Sequence, residues 1–227
     1  MLKNMKIAKR QWILILYLPI HLLWYMIVET MGFQEFTLIH CALDDIIPFC
    51  SLFVFPYVLW FPYMVISGLY FLRYDAEAFE NYILSLFIGF IISMLIITFY
   101  PTGVDLRLSD FHVSSFSTWV LDFIYSVDNN MCVFPSMHIV GAVAVAVSVA
   151  KSKSLRKKTI LQLCNWTLFT LIVLSTMFIK QHSVLDVIAG IALELIVLFI
   201  VYKGWISQWL DKITKSRINE DNEIVSI

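Results

Sequence analysis

The stretch Ser175–Gly190, STMFIKQHSVLDVIAG, is mostly apolar, yet it carries Lys180, His182 and Asp186. Ionisable groups in an oily segment are costly unless they are paired or meet a polar boundary. The flanking sequence shows such a boundary. Thr159–Ile179 upstream and Ser183–Tyr202 downstream are each long and apolar enough to cross a bilayer, which takes roughly 20 residues. The stretch is therefore the join between two membrane spans, with its polar groups at their common end.

Working outward, four further apolar runs follow the same rule: Trp12–Val28, Ile47–Leu72, Tyr82–Tyr100 and Pro135–Ala150. The second is long and holds Pro48, Pro56 and Pro62, so tilting or kinking is expected. The fourth is the least apolar at its start, which needs shielding by neighbouring helices. The 227 residues are 60% hydrophobic and only 15% charged. Their mean hydropathy is +0.81. This composition excludes an ordinary soluble domain and indicates a polytopic membrane protein. The expected fold is an all-α, integral-membrane six-helix bundle, one domain over residues 1–205 followed by a cytoplasmic tail over 206–227. The first apolar run lacks a small-residue cleavage site and reads as a span, not as a cleavable signal peptide.

The charges are sorted along the chain. Lys3, Lys6, Lys9 and Arg10 precede the first span, Arg73 follows the second, and Lys151, Lys153, Arg156, Lys157 and Lys158 follow the fourth. Lys203, Lys212, Lys215 and Arg217 come after the sixth, so 14 of the 16 Lys and Arg fall on one side. The positive-inside rule makes that side cytoplasmic, with both termini there, in a multi-pass cell-membrane protein. The first outer loop is acidic, with Glu29, Glu35, Asp44 and Asp45. The two exceptions to the sorting, Arg107 and Lys180, both fall outside. In the long outer loop between spans three and four, Phe116, Trp119, Val120, Phe123, Ile124 and Val127 recur at helical spacing. They predict a short amphipathic helix on the outer interface, serving either as a cover or as a platform for a lipid head group.

A second polar intrusion is VFPSMHIV, Val133–Val140. Pro135 and Ser136 are helix-start residues, so His138 belongs to the first turn of span four, where free N–H groups and the positive dipole end face any anion. His182 and Asp186 are spaced i, i+4 and stack on one helix face. The carboxylate can accept from one imidazole nitrogen and leave the other free for chemistry.

PSMH followed some forty residues later by KQHSVLDVIAG resembles the type 2 phosphatidate phosphatase superfamily over Tyr100–Gly190. That family has three motifs: Lys-x6-Arg-Pro, Pro-Ser-Gly-His and Ser-Arg-x5-His-x3-Asp. Pro135, Ser136 and His138 match the second, with Met137 in place of glycine. Ser175, His182 and Asp186 match the third, with Thr176 in place of arginine. Arg107 stands for the arginine of the first, with Leu108 in place of proline and Tyr100 in place of lysine. FPSMH and KQHSVLDVIAG are closer to the branch that includes inositol phosphorylceramide and sphingomyelin synthases and their bacterial relatives.

The resemblance implies His182 as nucleophile, Asp186 as its orienting acid and His138 as general acid and base. Arg107 and the start of span four would hold the phosphoryl oxygens, Ser136 would donate to them, and Lys180 either replaces a missing cation or snorkels to the interface. No metal or other cofactor and no nucleic-acid partner is expected; the partners are a lipid phosphate substrate and membrane lipids. The leading function is a lipid-phosphate phosphatase at the extracytoplasmic face. The alternatives are a phosphotransferase that passes the phosphoryl head group to a lipid alcohol, and a non-enzymatic lipid-binding or transport protein.

Other residues are read as structural. Glu194 lies two turns below Asp186 and is expected paired or protonated, with a proton relay as the alternative. His21, His40 and His112 belong to no motif. The four cysteines, Cys41, Cys50, Cys132 and Cys164, fit no zinc spacing; Cys164, mid-span, reads as a small apolar filler, and a pairing of Cys41 with Cys132 outside the membrane stays open. Ile206, Trp209, Leu210 and Ile213 with Lys212 and Lys215 form an amphipathic anchor pattern before a polar tail.

Overall fold

The computed structural model describes residues 9–30, 35–108, 111–128 and 130–205, with side chains from Pro19 onward. The N-terminal arm before Lys9 and the C-terminal anchor and tail from Ile206 lie outside the described residues. In order along the chain are α1 (Lys9–Thr30), β1 (Thr37–Leu38), α2 (Ala42–Ile46), a 3-10 turn (Ser51–Phe53) and α3 (Val54–Tyr74). Then follow α4 (Ala76–Phe99), β2 (Thr102–Gly103), α5 (Phe116–Val127), α6 (Met137–Lys151), α7 (Thr159–Phe178) and α8 (Val184–Tyr202). Four segments, Ser51–Tyr74, α4, α7 and α8, are long and apolar enough to cross a membrane. The chain is a mostly helical, multi-pass membrane protein.

The helix limits follow local chemistry. The Asp75 carboxylate accepts from Ala78 N and opens α4, and the Ser183 hydroxyl accepts from Leu185 N and opens α8. The second expected span starts later than its apolar run. Pro48 biases the preceding Ile47 toward extended backbone, and Ile47 is extended (φ −69°, ψ 119°), so α2 stops there and helix resumes only at Ser51. Pro62 lies inside α3.

α6 has only 15 residues, about 22 Å of helix against a hydrocarbon core of about 30 Å. It is short because it is central: α3, α4, α7 and α8 all pack on it, and Ile139 to Ala146 are buried without interruption. Gly190 permits its closest approach to α8. A Cβ there would lie 2.9 Å from both the Ile139 Cβ and the Ser136 carbonyl oxygen, so the starts of the two helices are pressed together.

The two ends of the bundle differ in charge. At one end the basic α6–α7 loop meets the α3–α4 turn: Ser152 donates to Asp75 Oδ2 (2.7 Å), Lys153 pairs with Glu77, and the Lys151 ammonium lies 4.8 Å from the Tyr202 ring. The other end holds β1 paired in parallel with β2, α2, α5 and the first turns of α6 and α8.

α5 coincides with the predicted loop helix. Ser117, Thr118 and Leu121 are buried, while Phe116, Trp119, Phe123 and Val127 are exposed. The Ser117 hydroxyl turns inward because a partner waits there, the hydroxyl of Ser51 (2.9 Å). All four cysteines are free, so Cys41 and Cys132 are not joined. Cys164 sits exposed on the outer face of α7, not buried as a filler.

Candidate active site

His138 sits in the first turn of α6. Its ring packs against Tyr57 (centroids 4.4 Å apart) and Trp60 (4.3 Å), both from α3. His182 faces it edge-on from the turn before α8, with ring centroids 5.7 Å apart. Behind His182, Asp186 Oδ2 lies 3.4 Å from Nδ1, and the same oxygen accepts from Ser183 N at 2.8 Å. Asp186 is fully buried, and its Oδ1 takes no hydrogen bond from the described residues. Both imidazoles line one cavity of about 610 Å³.

The turn that delivers His182 is built by Lys180. This residue has φ +59°, the left-handed conformation that ends helices and is usually given to glycine. Gln181 N and His182 N both return to the Thr176 carbonyl (3.0 Å each), so α7 closes and the next residues swing toward the cavity. The Lys180 side chain is 8% exposed. Its ammonium donates to the carbonyls of Asp44 (2.8 Å) and Ile47 (2.6 Å) and does not line the cavity.

Arg107 is likewise engaged. It donates to Gln181 Oε1 through Nε (3.0 Å) and Nη2, and to the carbonyls of Tyr125 (3.2 Å) and Asp128, and it stacks 4.1 Å over the Tyr125 ring. Burial pulls its pKa below the ordinary guanidinium value, opposed by the nearby Tyr125 and Asp128. Ser136 is fully buried against the start of α8: its N donates to the Asp186 carbonyl (3.3 Å), and its hydroxyl has no partner among the described residues. Of the six residues singled out in the sequence, the structure thus brings His138, His182, Asp186 and Ser136 together. Arg107 reaches the cavity only through Gln181 and Asp128, which line it, and Lys180 points to the loop behind.

Several groups at the site carried no sequence signal. Asp128, at the end of α5, lines the cavity and accepts from Tyr57 OH (2.6 Å), Gln181 Nε2 (3.1 Å) and Tyr25 OH (3.5 Å). Among the described residues no lysine or arginine lines the cavity. Cys132 also lines it, but burial, with the charges of Glu29 and Asp128, pushes its thiol up to about 11, so it stays neutral near neutral pH. A thiol in that state is a poor nucleophile.

Asp44, read in the sequence only as part of an acidic loop, caps the functional turn. It accepts from Ser183 Oγ (2.6 Å), Val184 N (2.8 Å) and Cys41 N (2.8 Å). Burial pushes its carboxyl up, but these donors outweigh burial and hold it below the usual carboxylate range. Asp44→Ala strands these donors and is expected to cost about 3 kcal/mol, read as a lower melting temperature in detergent. Because the folded pKa is depressed, that contribution is present above the ordinary carboxylate value and is lost as pH falls through the folded one. The gap between wild type and variant should therefore close in acid. Equal melting at neutral pH would show that Asp44 does not hold the turn.

Over residues 29–200 the chain matches the family model of the PAP2 superfamily. That is most of its length, and the chain belongs to this superfamily, the type 2 phosphatidate phosphatases. Its function is accordingly of the phosphatase or phosphotransferase type, on lipid phosphates. No curated protein and no solved structure matched the chain.

Proposed function

We propose that the protein is a lipid-phosphate phosphatase that hydrolyses its substrate at the extracytoplasmic face through a phosphohistidine on His182. The observation that carries this reading is the meeting of His138 and His182, 5.7 Å apart at the head of one cavity, with Asp186 behind His182. The Nε2 of His182 attacks phosphorus, the bond from phosphorus to the lipid oxygen breaks, and His138 gives its proton to the departing alkoxide. A water then gives its proton to His138 and attacks the phosphohistidine, releasing inorganic phosphate and free His182. Asp186 stabilises the positive charge on the imidazole during both steps. In this reading a phosphoryl held between the rings takes hydrogen bonds from the first-turn amides of α6 and from Gln181, which lines the cavity, and the Ser136 hydroxyl reaches it only if the first turn opens. Arg107 or Lys180 binds phosphate directly only by exchanging its present carbonyl and Gln181 partners.

In this reading six helices, α1, α3, α4, α6, α7 and α8, span the bilayer, with both termini and the basic loops inside. α5 lies in the outer interface with Phe116, Trp119 and Phe123 turned to the lipid head groups. The chemistry uses no metal. The branch of the superfamily is the one resembling inositol phosphorylceramide and sphingomyelin synthases. A second reading, transfer of the phosphoryl head group to a lipid alcohol, is favoured by the lack of a lysine or arginine on the cavity wall among the described residues. A singly charged diester needs less positive charge than a doubly charged monoester.

Purified protein given phosphorus-labelled lipid phosphate, with and without a lipid alcohol, decides between them. Free phosphate released from a labelled monoester supports hydrolysis; with a labelled lipid phosphodiester as donor, passage of its phosphoryl head group to the added alcohol as a new phosphodiester supports transfer. If neither forms across a panel of lipid mono- and diesters, both readings fail.

Asp186→Asn keeps the acceptor for Ser183 N but removes the charge. It is expected to lower kcat at least tenfold, about 1.4 kcal/mol of transition-state stabilisation, with little change in KM. A change confined to KM would make Asp186 a substrate-binding group.

A further inference from the structure

The cavity does not stop at the histidines. On α3 its wall runs from Trp60 through Met64 and Gly68 to Leu72, and on the antiparallel α4 from Phe90 through Leu86 and Ile83 to Phe79. Twelve residues of α3 are about 18 Å of helix, against about 15 Å for one leaflet of the hydrocarbon core. α1 closes one side with Leu22 and His21, whose ring stacks 4.9 Å from Phe90. Polar groups gather at the head: His138, His182, Gln181, Asp128 and Tyr25. Lower down, the Tyr82 hydroxyl is used by the Met64 carbonyl (3.2 Å), and the rest of the floor is apolar.

We infer that this slot between α1, α3 and α4 takes one hydrocarbon chain of the phosphorylated lipid, drawn into the protein below the two histidines, and that its depth sets the chain length the protein accepts. The inference rests on the proposed reading, since the histidines fix where the phosphoryl group sits. Three observations select this occupant. The slot is continuous with the site, its length is that of a lipid tail, and its polarity changes from head to floor as that of a lipid phosphate does. Its volume, about 610 Å³, is that of a small-molecule pocket, not of a docked helix.

Gly68 is the gauge. It lies eight residues below Trp60, about 12 Å down the slot. A Cβ added there would come within 3.2 Å of the Tyr82 ring edge, so a larger side chain must project into the slot or push that ring.

The test uses Gly68→Leu, with an alkyl phosphate of butyl length and one of palmitoyl length as probes. The long probe is expected to lose at least about tenfold in kcat/KM, because its lower methylenes are forced off apolar surface. The short probe should keep wild-type turnover, which also shows that the variant is folded. Equal losses for both probes, or none for either, overturn the slot. A second arm needs no turnover: the long probe carries a photoreactive group at its tail end. Adducts on Phe79, Ile83 or Leu72 support the slot, and adducts only on outward residues such as Ile66 and Ile188 contradict it. If wild type turns over neither probe yet the tail crosslinks in the slot, the hydrolytic reading fails and the slot stands.

Discussion

His182→Ala is expected to abolish turnover, a loss of about four orders of magnitude or more, while the protein stays folded in detergent. No other group at the site replaces the nucleophile. His138 is pinned against the Tyr57 and Trp60 rings, and Cys132 is held neutral by burial. Among the described residues the only ion pair His182 makes is with Asp186, through Nδ1, and the backbone turn is held by bonds from its main chain to Thr176. In the proposed mechanism, removing the ring therefore takes away the attacking atom without dismantling the α7–α8 turn. Melting temperature and turnover of one purified sample separate the two effects. Activity above a tenth of wild type would remove His182 from the nucleophile's role.

The second large effect is expected at His138. A departing lipid alkoxide is strongly basic and needs its proton as the bond breaks, and general-acid help is worth about 10²–10⁴-fold. His138→Ala should cost that much on a lipid phosphate and far less on a nitrophenyl phosphate, whose leaving group departs without help. The comparison is internal, since both substrates use the same nucleophile and cavity. Equal losses on the two would mean that His138 positions the phosphate or supports the Tyr57–Trp60 wall instead of delivering a proton.

The parts of this site that were legible in the sequence are those where polarity is expensive. His138, His182 and Asp186 stand out because apolar runs surround them; α6 carries His138 in its first turn and α8 carries Asp186, while His182 sits in the turn just before α8 instead of on its face. The α5 segment was legible for the same reason, but not which side faced inward. Apolar periodicity marks a stripe without saying what covers it, and the hydroxyl of Ser51 that draws Ser117 inward lies 66 residues away.

The supporting network was not legible. The Tyr57–Asp128 and Lys180–Ile47 bonds span 71 and 133 residues, and that from Ser183 to Asp44 spans 139. Such pairs exist only once the helices and the outer loops have packed. Lys180 shows the difficulty most clearly. Its charge and its place two residues before His182 suggest a phosphate ligand. A left-handed backbone and two loop carbonyls give it another use, as the anchor of the turn. Asp128 is the converse: an unremarkable loop acid that packing brings to the cavity wall.

The central claim is the covalent intermediate. Wild-type protein incubated briefly with lipid phosphate labelled at phosphorus, then quenched in base, should carry label that survives alkali and is released by acid, the behaviour of a phosphoramidate. Peptide mapping should place it on His182. Wild-type protein that turns over the lipid yet never carries label under rapid quench, or that carries it on a residue other than His182, would contradict the account.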